Sequence, residues 1–178
     1  MLNIAYTFNP QDEMALALVS KRLHQKSASE YVLGVNSVPH VSITHIEGDA
    51  SEVEDMWQKL LQSAIPTEIP VVIKTFVLDA PWRDRVYSSF SLEGVGSLSK
   101  IQKDIMRLFD GREVFNGYGA DFEPHITTGC HLKLAEASKL PAQKPPFKKT
   151  TAYLTIGSRD SYGRMVQIYK GGYVKPKC

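Results

Sequence analysis

The tightest constraint on how this chain folds is a five-residue pattern that occurs twice. Pro39-His40-Val41-Ser42-Ile43 recurs as Pro124-His125-Ile126-Thr127-Thr128, and the step from residue 40 to residue 125 is close to half of the 178 residues. Each copy lies in a run with strand character and is separated by a loop from a segment with helical spacing. A repeat of this kind is what two similar lobes facing one another produce, as after an ancient duplication. It therefore predicts two equivalent strands, each carrying one histidine.

Alternation within a strand says what those two strands present. Residues i and i+2 project from one face about 7 Å apart, so His40 falls with Ser42 and His125 with Thr127. Val41, Ile43 and Ile126 turn the other way, into a core. By the same alternation His45 points away from His40, whereas His131 shares the parity of His125 but lies about 20 Å further along an extended chain. If the two strands lie side by side, two imidazoles and two hydroxyls converge on a volume the size of a phosphate.

The rest of the chain reads as alternating strands and helices. Asn3 to Phe8 is a short apolar strand closed by Asn9-Pro10. A helix follows through about Gln25, with Asp12 as its N-cap and Met14, Leu16, Ala17, Leu18 and Leu23 as its apolar face. Val38 to Ile46 is a strand and Ser51 to Ser63 a helix. Val71 to Leu78 and Arg85 to Leu92 form a strand pair around the loop 79–84, and a helix returns at about Ser97 to Phe109. Phe122 to Gly129 is a strand, Leu134 to Lys139 a short helix, and Leu140 to Lys149 a Pro- and Lys-rich connection. Ala152 to Ile156 and Arg164 to Tyr169 close the chain as a hairpin. The fold class is α+β: mainly antiparallel sheet with outer helices, residues 1–178 forming one bilobal domain with two pseudo-symmetric lobes about a central cleft.

Two imidazoles with pKa values near neutrality can supply both the base and the acid that cleavage of a phosphodiester needs. The hydroxyls of Ser42 and Thr127 can donate to the non-bridging oxygens as charge builds on them. No metal or other cofactor is required by this scheme, although histidines also ligate metals and His45 and His131 lie near the repeated pattern. Two copies of His-φ-Ser/Thr-φ, with φ usually apolar, resemble the signature of the 2H phosphoesterase superfamily. That superfamily includes bacterial 2′-5′ RNA ligase-like proteins and the cyclic nucleotide phosphodiesterases of tRNA splicing. Phe122-Glu123-Pro124-His125-Ile126-Thr127-Thr128-Gly129 resembles its second motif and Val38-Pro39-His40-Val41-Ser42-Ile43 its first. Ser42 stands where Thr is commoner, which keeps the hydroxyl, and Thr128 where an apolar residue is usual. The resemblance implies a groove with His40 and His125 as catalytic residues. It further implies metal-independent phosphodiesterase activity on 2′,3′-cyclic phosphates or 2′-5′ linkages. A nucleotide-binding module with little turnover and an RNA end-joining activity are the alternatives.

Composition narrows the partner. A net charge of +2 with 22% charged residues argues against a long nucleic-acid track and is compatible with a nucleotide or short RNA. Tyr6, Phe8, Trp82, Tyr87 and Tyr169 are candidates to stack on a base, with Tyr6 and Tyr87 preferred because their strands border the groove. Arg83, Arg85, Arg159 and Lys170 are candidate phosphate contacts. The two cysteines, Cys130 and Cys178, are unrelated in position and form no disulfide framework, which points to a reducing cytoplasm. MLNIAYTFNP lacks the pattern of a secretory signal and no apolar stretch is long enough to span a membrane, so a cytoplasmic monomer with no membrane partner is the expectation.

Overall fold

The computed structural model describes residues 1–79 and 85–175. The first strand, β1 (Leu2–Thr7), is buried at every position, polar Asn3 and Thr7 included. This follows from its place between two other strands with both faces covered. Helix α1 (Pro10–Lys26) starts at Asn9, whose side chain accepts from the backbone of Gln11 and Asp12, with Pro10 pre-set for the first turn. The cap is thus Asn9 and not Asp12, whose carboxylate instead accepts from Asn9 and Thr150. Leu16, Val19 and Leu23 form the buried stripe of α1, while Met14 is 62% exposed.

The remaining elements follow in the predicted order, with different lengths. They are β2 (His40–Ile46), α2 (Val53–Gln62), β3 (Glu68–Leu78), β4 (Val86–Leu92), α3 (Val95–Leu108), β5 (His125–His131), α4 (Leu134–Ala137), β6 (Lys149–Arg159) and β7 (Met165–Gly171). Among the described residues seven strands form one sheet in the order β2-β1-β6-β3-β4-β5, with β7 also on β6, and each of these pairings is antiparallel.

Strand β6 divides the sheet into its two lobes. One edge pairs with β1 from Tyr153 to Ser158. The other pairs first with β3, up to Tyr153, and then with β7 from Thr155 onward. The sheet therefore forks at Leu154, whose backbone N–H goes to Thr67 and whose carbonyl accepts from Gly172. Beyond the fork the sheet curls until its two ends, β2 and β5, come into contact. The helices cross between halves: α1 packs on β5, and α3 packs on β2. One continuous apolar core runs through both lobes, from Ile4 and Val41 to Phe90 and Ile126. Among the described residues no helix is long and apolar enough to cross a membrane.

Candidate active site

Contact between β2 and β5 brings the two copies of the repeated motif face to face. His40, Ser42, His125 and Thr127 all line one cavity of about 420 Å³ between the lobes. The two histidines are oriented in the same way. Nδ1 of His40 donates to the carbonyl of Val38 at 2.7 Å, and Nδ1 of His125 donates to the carbonyl of Glu123 at 2.7 Å. In each case the acceptor lies two residues back across a proline. Proline holds the residue before it in an extended conformation and has no N–H of its own, which leaves that carbonyl turned to the ring. With Nδ1 committed as donor, the neutral ring carries a bare Nε2 that is free to accept a proton.

The surroundings of the two rings differ. His40 is buried, and burial, reinforced by the charge of His125, pushes it down to about 4 although its bond to Val38 pulls the other way. His125 is exposed and lies near Asp79 and Glu123. Burial raises Asp79 above the usual carboxylate range, against the charge of His125.

Each histidine strand carries a β-bulge, and both bulges fall at the same place in the motif. Between β1 and β2 the register slips so that Ile4 faces Thr44 and Ala5 faces Ser42, leaving Ile43 as the extra residue. Between β4 and β5, Ser88 faces Gly129 and Ser89 faces Thr127, which leaves Thr128 as the extra residue. A bulge reverses the alternation of faces beyond it. His45 therefore turns into the cavity beside His40 and Ser42, where alternation alone pointed it away. The bulge at Thr128 has the opposite effect on His131. That ring is buried outside the cavity with both nitrogens engaged, one with Ser88 and one with the carbonyl of Ser27. The carbonyl freed at Ile43 is not left bare, since Gln102 of α3 donates to it at 2.8 Å and Asn116 at 3.2 Å. Thr128 is buried with its hydroxyl on Ser88, so the residue that departs from an apolar pattern has its polar atom satisfied.

The two hydroxyls have unlike neighbours. Ser42 Oγ accepts from Asn3 Nδ2 at 2.9 Å and lies 3.1 Å from His45 Nε2. Near Thr127 the cavity is lined by the buried Tyr31. Arg159 at the end of β6 brings a guanidinium to the cavity wall. Its Nε is buried with no hydrogen-bond partner among the described residues, and burial holds the group below its ordinary range.

Of the residues expected to stack on a base, Tyr87 lines the cavity and Tyr6 does not. Tyr6 is 0% exposed and donates its hydroxyl to Pro66 at 2.6 Å, because β1 is an interior strand with no open face. Phe8 packs on Phe147, and Tyr169 is half-buried against the core. Arg85 pairs with Glu30 and Lys170 with Glu54. Trp82, Arg83 and Cys178 lie outside the described residues. Cys130 is buried and free, close to Tyr87. Sequence reasoning missed Tyr31, Asn3 and Asn116, none of which belongs to a local pattern. Tyr162 and Phe115 also line the cavity and were likewise unmarked.

No protein-family model matches the sequence, and no curated protein matches it. Solved structures do match in shape. Usb1 of Kluyveromyces marxianus aligns with a TM-score of 0.54 and 14% identity, over 87% of this chain and 91% of that one. The MHV ns2 PDE domain aligns with a TM-score of 0.48 and 15% identity, over 84% of this chain and 86% of that one. The likeness to Usb1 is one of fold, an α+β arrangement of antiparallel sheet with outer helices of the class expected from the sequence.

Proposed function

We propose that this chain is a 2H phosphoesterase that cleaves RNA-type phosphodiesters, 2′,3′-cyclic phosphates or 2′-5′ linkages, by two-histidine acid–base catalysis without a metal. The observation that carries the proposal is the matched pair of imidazoles from opposite ends of the sheet. Each is tied through Nδ1 to a backbone carbonyl, and both line one cavity.

For a cyclic phosphate the steps are as follows. Buried, neutral His40 takes a proton on Nε2 from a water whose oxygen attacks phosphorus. His125, in its protonated form, gives its Nε2 proton to the ribose oxygen as the bond from phosphorus to that oxygen breaks. The product is a ribose 2′- or 3′-phosphate; the proton held by His40 goes to solvent and His125 takes one back from solvent, which restores the starting state. Ser42 and Thr127 donate to the non-bridging oxygens, and Arg159 supplies a positive charge beside them. A volume of about 420 Å³ suits one nucleotide, within the range of roughly 300–1,000 Å³ usual for small-molecule sites. That favours a mononucleotide or the terminus of a short RNA.

The test is a panel of nucleoside 2′,3′-cyclic phosphates and 2′-5′ and 3′-5′ dinucleotides in excess EDTA, with products identified. Turnover should persist in EDTA. His40→Ala and His125→Ala should each lower kcat by at least about 10²-fold with a much smaller change in nucleotide affinity. Folded variants that turn over as fast as the parent would leave a nucleotide-binding module as the better reading. Activity lost to EDTA and restored by Zn²⁺ or Mn²⁺ would replace this mechanism with a metal-assisted one.

A further inference from the structure

His45 lines the cavity beside the two proposed catalytic histidines, and acid–base cleavage leaves it without a task. We propose that His45 is a positioning residue. With Asn3 it fills both lone pairs of the Ser42 oxygen, so that Ser42 can act only as a hydrogen-bond donor to the phosphate. The inference rests on the phosphodiesterase reading above and names a part of the site that the repeated motif does not contain.

A serine hydroxyl has one proton to give and two lone pairs to fill. Asn3 Nδ2 occupies one lone pair at 2.9 Å, and His45 Nε2 stands at 3.1 Å from the same oxygen. The direction of the second bond follows from the other ring nitrogen. Nδ1 of His45 is buried with no partner among the described residues. A proton on Nδ1 would make it an orphaned buried N–H, which folded proteins avoid more strictly than an unfilled acceptor. The proton therefore belongs on Nε2, pointing at Ser42. The Asn3 amide obeys the same logic, because its Oδ1 is the buried atom without a partner and its NH₂ faces Ser42. Burial first, and Arg159 second, push His45 down to about 3, so the ring stays neutral and keeps a single N–H at any ordinary pH.

The bulge makes this arrangement possible. Residues 42 and 45 are three apart and share a face only because Ile43 is extra. Asn3 lies directly across from His45 in the ladder, so the three polar groups form one cluster. In the other lobe the corresponding positions, by the same count from the bulge, are Tyr87 and Cys130. Neither provides the same pair of small donors, and the polar neighbour near Thr127 is the buried Tyr31. The two proposed phosphate donors thus have different surroundings.

Histidine-labelled wild-type protein tests the tautomer directly by long-range ¹H–¹⁵N NMR. His45 should carry its proton on Nε2 with Nδ1 bare, and a proton on Nδ1 overturns the proposal whether or not any variant folds. In kinetics on a nucleoside 2′,3′-cyclic phosphate, His45→Leu should lower kcat roughly tenfold with KM changed less than about twofold. His45→Gln keeps an N–H within reach of Ser42 and should recover most of that loss. In Ser42→Ala protein, His45→Leu should cost nothing further, since the group it positions is gone. An equal loss in both backgrounds, or no recovery by His45→Gln, assigns His45 a merely structural role. If the wild-type protein turns over no substrate, the phosphodiesterase reading fails, and the same cycle is read through affinity for inorganic phosphate. His45→Leu should then weaken phosphate binding in the parent and not in Ser42→Ala, and no weakening in the parent overturns the positioning role on its own.

Discussion

His40 and His125 occupy equivalent positions in the repeated motif, yet one is buried and the other exposed. Burial holds the His40 ring neutral, the form that the proposed base requires, whereas the His125 ring is open to solvent near Asp79 and Glu123. This asymmetry sets the pH dependence. With His40 pushed down to about 4, the proposed base is lost only as pH falls through that value, so the acidic limb of kcat/KM should lie near 4. A limb near the ordinary histidine value of about 6.5 would mean that His40 is not the base. At this scale the sequence exposed four residues, His40, Ser42, His125 and Thr127, because local alternation alone sets which way they face. It could not expose His45, whose direction depends on a register slip against β1, nor the burial of Tyr6, which depends on which strands flank β1.

At the scale of elements, the bulges in β2 and β5 convert two ordinary strands into supports for a site. Their cost is a backbone group without a ladder partner, and at Ile43 that group is satisfied by Gln102 from α3 together with Asn116. Gln102 is itself buried and also donates to the carbonyl of Gly117 at 3.0 Å. Gln102→Leu removes both bonds while Asn116 still reaches both carbonyls, so the loss should be near the lower end of the range for a buried acceptor, about 1 kcal/mol. Thermal melting should show it as a fall of roughly 2–4 °C. Activity should fall through kcat more than through KM, because Ser42 and His45 flank the bulge. Unchanged melting would mean that the bulge holds without its helix. Element type was legible from apolar periodicity, whereas extent was not. Strand β6 runs over eleven residues, well beyond Ala152 to Ile156, because long-range pairing with β3 and then β7 fixes its ends. Asn9-Pro10 was readable as punctuation, but choosing Asn9 over Asp12 as cap required seeing Thr150 engage Asp12.

At the scale of the whole molecule, the repeat announced two lobes, but their composition follows from the exchange of helices. Because α1 packs on β5 and α3 on β2, each histidine strand is backed by a helix from the other half of the chain. Lobes joined in this way, through one core and one shared strand, should unfold in a single transition. Its midpoint should depend on pH through the buried imidazoles. Burial pushes His40 down to about 4 and His45 to about 3, and it lowers His131 as well. The unfolded chain takes up these protons near 6.5 and the folded chain does not until far lower, so their contribution is complete above 6.5 and is lost as pH falls from there through about 4 and then 3. Glu13 opposes this, since burial raises it to about 7 and the folded state gains a proton there as pH falls. That carboxyl is only partly buried, so solvent screening weakens its effect, and so Glu13 does not cancel the two strongly shifted histidines. Differential scanning calorimetry between about pH 7 and pH 5 should therefore show one transition whose midpoint falls on the order of 5 °C or more on acidification. His45→Gln, which removes one titrating ring while keeping an N–H towards Ser42, should flatten that dependence. A midpoint that stays level or rises on acidification would mean that the imidazoles are not held neutral in the folded protein.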